Sequence, residues 1–481
     1  MGTTEQHELL IDGEFRPSES GDTFRTLDPA TEEPIGTVAA AKEADIDRTV
    51  ESASAAFFDW KKTSPEERGR LLYALADAIR EEKERLAELE TRDCGKPISQ
   101  AEADVEGCAR YFEYYAGIAD KIHGDSIPLD YDHVDYTIKE PLGITAQIIP
   151  WNFPINLVGR TVAPALAAGN VAVAKPAEQT PLSALEVGEL ALNVGFPPGV
   201  LNVVPGFGAE AGAALAGHPD VNGVSFTGSV VTGRTVAKLA MDNTTPVHLE
   251  LGGKSPNVVF PDADFETAVE NAITAIFTTN AGQVCSAGSR LLVHEDIHDE
   301  FIDELATRVA ELSVGPGMDA PDVGPLVSSD QHEKVRKFID IGREEVGEPV
   351  VGGEIPDREG YFVRPTVFDG VDNQSRIAQE EIFGPVLSVI TFSDENEAIE
   401  LANDVEYGLV AGIFTEDLGR AHRFAREVEA GQIYINEWFA GGVETPFGGF
   451  KDSGFGREKG LEAIESYTQV KNVCANIGAD R

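Results

Sequence analysis

At roughly 100 to 200 residues per domain, the 481 residues of the chain are enough for two or three domains. Apolar residues make up 42% of it and 48 glycines join them, a globular composition that excludes disorder for the bulk of the chain. Acids outnumber bases 83 to 38, and the net charge of −45 repels nucleic acid and anionic membrane surfaces, with no basic run to offer a phosphate footprint. The acids are dispersed and lysine is scarcer than arginine, which suits a protein whose self-repulsion is screened in molar salt, so a halophilic source is expected.

The N-terminal Met-Gly-Thr-Thr-Glu-Gln-His-Glu has no charged region followed by an apolar stretch, and Gln6 breaks a myristoylation match; a cytoplasmic protein is expected. Ser64-Pro-Glu-Glu67 is a capping box with proline at the first helical position. Leu71, Leu75, Ile79 and Leu86 continue it at helical spacing, which predicts one long amphipathic helix. Residues 131–139 alternate like an exposed strand. From Ile144 onward, short apolar runs at 145–149, 171–174, 200–204 and 223–226 alternate with helix-length segments such as 182–194 and 210–216, implying βαβ units and a parallel sheet. The greasiest stretches, 142–157 and 162–174, are interrupted by Pro150, Asn152, Pro154, Pro164 and Asn170, so neither reads as a membrane span. The alternation resumes at 257–260 and runs through 265–277, 290–293, 300–312, 386–392 and 396–403, predicting a second α/β domain. Residues 467–474 alternate like 131–139, and two edges with no covering helix are expected to meet a partner chain.

Cys94, Cys108, Cys285 and Cys474 form no CxxC pair, so neither a disulfide framework nor a zinc site is expected. Cys285 sits in Asn280-Ala-Gly-Gln-Val-Cys-Ser-Ala-Gly-Ser289, small and polar on both sides. A nucleophilic thiol needs room and nearby donors, which glycines on a turn before a helix would supply. The competing reading is a buried small hydrophobe. Glu250 in His248-Leu-Glu-Leu-Gly-Gly-Lys-Ser255 is an acid inside an apolar run, where desolvation would raise its pKa toward a general-base range; a strand-end glutamate paired to a lysine is the alternative. Phe226-Thr-Gly-Ser-Val-Val-Thr-Gly233 follows a strand and opens a helix, so Ser229 and the first helical amides, flanked by Gly228 and Gly233, would face a pyrophosphate. The stretch is not GxGxxG, and residues 206–212 miss that spacing by one. Lys175-Pro-Ala-Glu178 ends a buried strand with an acid, the position from which a carboxylate takes both hydroxyls of an adenosine ribose; a solvated loop charge is the alternative.

Pro150-Trp-Asn-Phe-Pro154, Gly169-Asn170 with Lys175-Pro-Ala-Glu178, Phe226-Thr-Gly-Ser229, Glu250-Leu-Gly-Gly-Lys254, Gly282-Gln-Val-Cys285, Glu381-Ile-Phe-Gly-Pro385 and Pro446-Phe-Gly-Gly-Phe-Lys-Asp-Ser-Gly-Phe-Gly-Arg-Glu458 stand in one order along residues 9–473. Together they resemble the motif set of the NAD(P)-dependent aldehyde dehydrogenase superfamily. The resemblance implies an α/β fold with a Rossmann-like nucleotide-binding domain (1–125 and 142–251), an α/β catalytic domain (252–452), and a small oligomerisation β-hairpin at 126–141 with the C-terminal segment 453–481. A homodimer or homotetramer follows from it.

It also implies roles. Cys285 attacks an aldehyde carbonyl, the Asn152 amide and the Cys285 backbone N–H hold the oxyanion, Glu250 activates the hydrolytic water, and Glu458 relays or orients. NAD is the implied cofactor and NADP the weaker alternative. Lys175 and Glu178 would bind the adenosine ribose, Ser229 and Trp151 the pyrophosphate in the turn of Gly228 and Gly233, and Glu381 with Phe383 the nicotinamide ribose and ring. With Glu250 present, release of a free acid is implied over acyl transfer to coenzyme A. Two other classes compete. A non-redox cysteine hydrolase needs a histidine that no motif places beside Cys285, and a retired binding scaffold should have lost Cys285, Glu250 or Asn152.

Arg160 lies eight residues after Asn152 and would share its face if the segment is helical, entering the substrate tunnel with Phe447 as an apolar wall and Gly441 and Gly442 leaving a wide mouth. Relatives with tryptophan at this position favour aliphatic or ammonium-bearing aldehydes. Arginine therefore points to a semialdehyde or aromatic aldehyde rather than betaine aldehyde or a general aliphatic one. The alternative is an arginine paired with an acid of the chain and only brushing the tunnel.

Overall fold

The computed structural model describes residues 5–478. The first four residues, part of the stretch read above for targeting signals, lie outside the described residues, as do the last three of the C-terminal segment. Ser64 starts a helix as its sequence requires: its Oγ accepts the Glu67 N–H at 3.2 Å, and Pro65 opens the helix Pro65–Glu81. Only half of the capping box forms, because the Glu67 carboxylate turns outward to Arg70. The single long helix is corrected to two. Glu82 leaves helical geometry at φ −98°, ψ 14°, and Leu86 belongs to a separate helix, Lys83–Cys94. Leu75, Ile79 and Leu86 are all fully buried, so the apolar spacing runs through a break that neither glycine nor proline marks.

Two sheets organise the molecule. The first has eight strands in the order Gly454–Phe455, Val247–Glu250, Gly223–Thr227, Ile144–Ile149, Val171–Pro176, Leu201–Val203, Leu9–Ile11 and Glu14–Arg16, of which the second to sixth are mutually parallel. Val171 through Ala174 are all buried, the near-continuous apolar run of a strand covered on both faces. The chain enters at Ile144–Ile149, winds out to Leu201–Val203, then returns to the other flank at Gly223–Thr227. That reversal leaves a crevice at the C-terminal strand ends, where α/β sheets bind ligands. Gly454–Phe455, in the segment assigned above to the C-terminus, joins this sheet as its antiparallel edge.

The second sheet is parallel throughout, ordered Thr366–Phe368, Val386–Phe392, Arg290–His294, Pro256–Val259, Val410–Phe414 and Gln432–Ile435. A small antiparallel sheet joins Ser126–Ile127, His133–Pro141 and Thr468–Asn476. The two alternating segments expected to await a partner chain therefore pair with each other, over the full register from Thr468↔Pro141 to Asn476↔His133. The alternation of each segment gives no hint of that pairing, whereas the resemblance, which sets the C-terminal segment with the hairpin, implies it. Among the described residues nothing pairs with the outer edge of Thr468–Asn476, a strand that carries exposed apolar side chains such as Val470 (66% exposed). Among the described residues no helix is long and apolar enough to cross a membrane.

Candidate active site

The C-terminal ends of the first sheet and the loops leading into the second enclose a cavity of about 730 Å³. Trp151, Asn152, Arg160, Gly228, Ser229, Glu250, Cys285, Glu381, Phe383 and Phe447 line it. Lys175, Glu178, Gly233 and Glu458 stand outside its walls, and each has identifiable contacts that explain its place.

Cys285 is presented by a strained loop. After the turn Thr274–Thr278, Asn280, Ala281 and Gly282 all take positive φ (46°, 52° and 72°), of which only the glycine adopts it freely. At Gly282 a Cβ would fall 2.4 Å from the Gly384 carbonyl oxygen, so no larger residue fits. The strain is held by hydrogen bonds: the Asn280 N–H donates to Gln100 Oε1 (2.8 Å), and Asn280 Nδ2 donates to the Asn152 carbonyl (2.7 Å). Asn152 Nδ2 donates in turn to the Gln283 carbonyl (2.9 Å), tying Asn152 to the cysteine loop. The turn carrying Cys285 leads into the strand Arg290–His294, not into the expected helix; the Arg290 N–H is taken by the Ser255 carbonyl at 3.2 Å. Burial pushes the Cys285 thiol up to about 12, against the opposing pull of the Arg160 charge and the Ser286 N–H, so near neutral pH it is a thiol.

Glu250 is the last residue of Val247–Glu250, and its buried carboxylate oxygens have no hydrogen-bond partner among the described residues. Burial raises its pKa well above the usual carboxylate range, the Glu458 charge raises it further, and Arg160 opposes both. The nearest cation is thus Arg160, at 3.8 Å, and not the lysine of the alternative reading. The Arg160 Nε ion-pairs with Glu458, and its guanidinium lies 4.4 Å from the Phe447 ring centroid. Burial would lower the Arg160 pKa, but Glu458, Tyr111, Glu250 and Cys285 together outweigh it and hold the group charged. Glu458 is placed by mutual backbone hydrogen bonds with Phe447, 2.7 Å in both directions, which fix the acid and the apolar wall together. His248, two residues before Glu250 on the same strand face, puts Nε2 3.7 Å from Glu250 and Nδ1 3.6 Å from Glu458. Burial lowers its pKa, so it is neutral between two acids.

The helix Pro154–Ala168 begins two residues after Asn152, so Asn152 precedes the helix instead of lying on it. Asn156 and Arg160, one turn apart, do share its cavity face.

Ser229 caps the 12-residue helix Val230–Met241, its Oγ accepting the Thr232 N–H (3.3 Å), and the free amides of that helix end lie at its positive pole. At Gly233 a Cβ would meet Leu251 at 2.5 Å, so this glycine lets the helix approach the sheet and does not reach the cavity. Buried Lys175 ends its strand 3.6 Å from the partly exposed Glu178, and burial lowers the lysine pKa. Trp151 and Phe383 meet edge to face at 5.2 Å. Phe383 is held at φ 61° while Gln331 Nε2 donates to its carbonyl (2.7 Å). Glu381 Oε1 accepts the Gly253 N–H at 3.0 Å. The free amides at the Ser229 helix pole, the acids Glu178 and Glu381 and the aromatic pair Trp151 and Phe383 are of the chemistry a dinucleotide requires.

Sequence reading missed His248, Gln331 and Lys459. The strand period of two would have flagged His248, and adjacency to Glu458 would have flagged Lys459. Gln331 lies far from every motif. Among the described residues no group of three or more potential metal ligands occurs.

The profile described as "Aldehyde dehydrogenase family" matches residues 15–473. Aldehyde dehydrogenase family 2 member B4, mitochondrial, of Arabidopsis thaliana is 49% identical over 97% of this chain and 87% of its own. Hydroxyisobutyraldehyde dehydrogenase of Mycolicibacterium austroafricanum is 46% identical over 98% and 94%. Betaine aldehyde dehydrogenase of Staphylococcus aureus, solved in complex with NAD+, superposes with a TM-score of 0.96 at 41% identity, covering 99% of this chain and 96% of that one.

Proposed function

From the premise that the chain belongs to the aldehyde dehydrogenase family and is an NAD-dependent enzyme of that kind, we propose that it converts an aldehyde to the free carboxylic acid through Cys285 and Glu250. The observation that carries this reading is their meeting in one cavity with the Ser229 helix pole.

The Cys285 sulfur, once deprotonated, adds to the aldehyde carbon. One hydrogen of the Asn152 amide is spent on the Gln283 carbonyl, leaving the second, with the Cys285 N–H, for the oxyanion. Trp151, Lys175, Glu178, Ser229, Glu381 and Phe383 would hold NAD, with Gly228 in the phosphate turn and Gly233 packing its helix, and the bound nicotinamide would supply the hydride acceptor. The thioester left on Cys285 is attacked by a water whose proton Glu250 takes. A carboxylate raised by burial is the stronger base for that step. Glu458 relays the proton onward or orients Glu250, and Arg160 holds the two carboxylates together.

The substrate reading is a semialdehyde or an aromatic aldehyde, in preference to the betaine aldehyde named for the Staphylococcus aureus neighbour or a general aliphatic one. The aromatic wall of Phe447 and the cationic side chain of Lys459 beside it in the same lining support it. A homodimer or homotetramer joined through the arm 126–141 and the C-terminal segment, a nucleotide-binding part at 1–125 and 142–251, a catalytic part at 252–452, and a cytoplasmic location complete the proposal. Absorbance at 340 nm with NAD and a panel of acidic, aromatic, aliphatic and cationic aldehydes tests it. NADH formation that disappears in Cys285→Ala is expected; no NADH with any aldehyde would refute it.

A further inference from the structure

Arg160 lines the cavity, but its charge is already shared by Glu458 and Glu250. A second cation in the same wall has no such partner. Lys459 lines the cavity with its Nζ 5.5 Å from the Phe447 centroid, and no carboxylate among the described residues comes within 4.0 Å of it. Its backbone is held in the left-handed region at φ 60°. The neighbours on both sides are pinned, Glu458 by its paired bonds to Phe447 and Gly460 by donation to the Val443 carbonyl at 2.7 Å. A non-glycine residue kept in that conformation by its flanks is a positioned one.

Burial pulls the Lys459 pKa down to about 8 and the Arg160 charge adds to the effect, while Glu458 and Glu444, neither of them in contact, oppose it only in part. Retaining an ammonium in a partly desolvated wall without a counter-ion is costly, and a ligand that brings the counter-ion offsets the cost. The surrounding molecule carries −45, so an anionic substrate approaches against the overall field and gains most from a cation at the point of binding. The Phe447 ring lies beside Lys459, and Ala440 and Gly441 leave space in the wall.

We infer that Lys459 is an anion subsite, which binds the distal carboxylate of an acid-bearing aldehyde while the aldehyde carbon lies at Cys285. This rests on the reaction proposed above and narrows its substrate to ω-carboxy aldehydes and carboxyl-bearing aromatic aldehydes. Lys459 takes no part in the chemistry.

The test compares kcat/KM, with NAD and the full-length enzyme, for succinic semialdehyde against butanal and for 4-carboxybenzaldehyde against benzaldehyde. The wild type should favour the carboxylate-bearing member of at least one pair by about tenfold or more. Lys459→Met should lower that ratio by about tenfold through KM, and Lys459→Arg should keep it within about threefold. Competitive inhibition of the wild type by succinate against butyrate reads the same subsite without a variant, and succinate should bind about tenfold tighter. A ratio unmoved in Lys459→Met, no carboxylate preference in either pair, or equal inhibition by the two acids overturns the subsite. In those cases NADH formed from the neutral aldehydes leaves the proposed reaction standing, whereas no NADH from any aldehyde removes both.

Discussion

Arg160 shows how one residue changes meaning between sequence and structure. Its spacing from Asn152 suggested a side chain reaching for substrate, yet its guanidinium sits among Glu458, Glu250 and Phe447. Removing it would leave two buried carboxylates without their cation and raise Glu250 further. Arg160→Leu should therefore lower kcat for every aldehyde of the panel by about tenfold or more, and a loss confined to acid-bearing substrates would return Arg160 to the substrate. Glu178 makes the second prediction at this scale. A carboxylate beside the adenosine ribose accepts from its 2′-hydroxyl and repels a 2′-phosphate, so NAD should be preferred over NADP and Glu178→Ser should narrow the gap. Equal kcat/KM for the two cofactors in the wild type would contradict it. The local setting of Cys285 and Glu250 suggested chemistry beside a structural alternative, and it was the resemblance of the whole motif set that gave them, with Asn152, their roles. His248 and Lys459 were not legible, since what they touch is brought up by other strands and turns: His248 meets Glu458, 210 positions further along the chain.

Among the elements, the parallel strands were readable from their apolar runs, and so were the strand, turn and helix that follow in order from Gly223 to Met241. Local periodicity carries no record of remote partners. The break at Glu82, the strand after Cys285 and the pairing of His133–Pro141 with Thr468–Asn476 all depend on contacts outside the segment itself. Among the described residues nothing pairs with the Thr468–Asn476 edge of that arm sheet, and the strand carries the exposed Val470. Such an edge invites a second chain. The wild type should therefore run as a dimer or tetramer in light scattering after size exclusion, and Val470→Asp should shift it toward smaller species. A monomeric wild type, or an assembly indifferent to Val470→Asp, would contradict the role given to the arm.

For the whole molecule the dominant quantity is charge. With −45 on each chain, self-repulsion is screened within about 3 Å at 1 M salt but only within about 10 Å at 0.1 M. Few basic side chains are available to offset it, and most of the ion pairs they form are exposed and individually weak. Activity and thermal stability should both fall on dialysis from molar to dilute salt, and full activity after days in dilute buffer would show the acidic surface to be no salt adaptation. The central claim, however, is the division of labour between Cys285 and Glu250, and rapid-mixing absorbance at 340 nm addresses it most directly. In Glu250→Gln, acylation and hydride transfer should proceed while hydrolysis stalls, giving a burst of NADH close to one per active site followed by a very slow steady state, where Cys285→Ala gives no NADH at all. A Glu250→Gln enzyme that turns over at the wild-type rate without a burst would contradict the account.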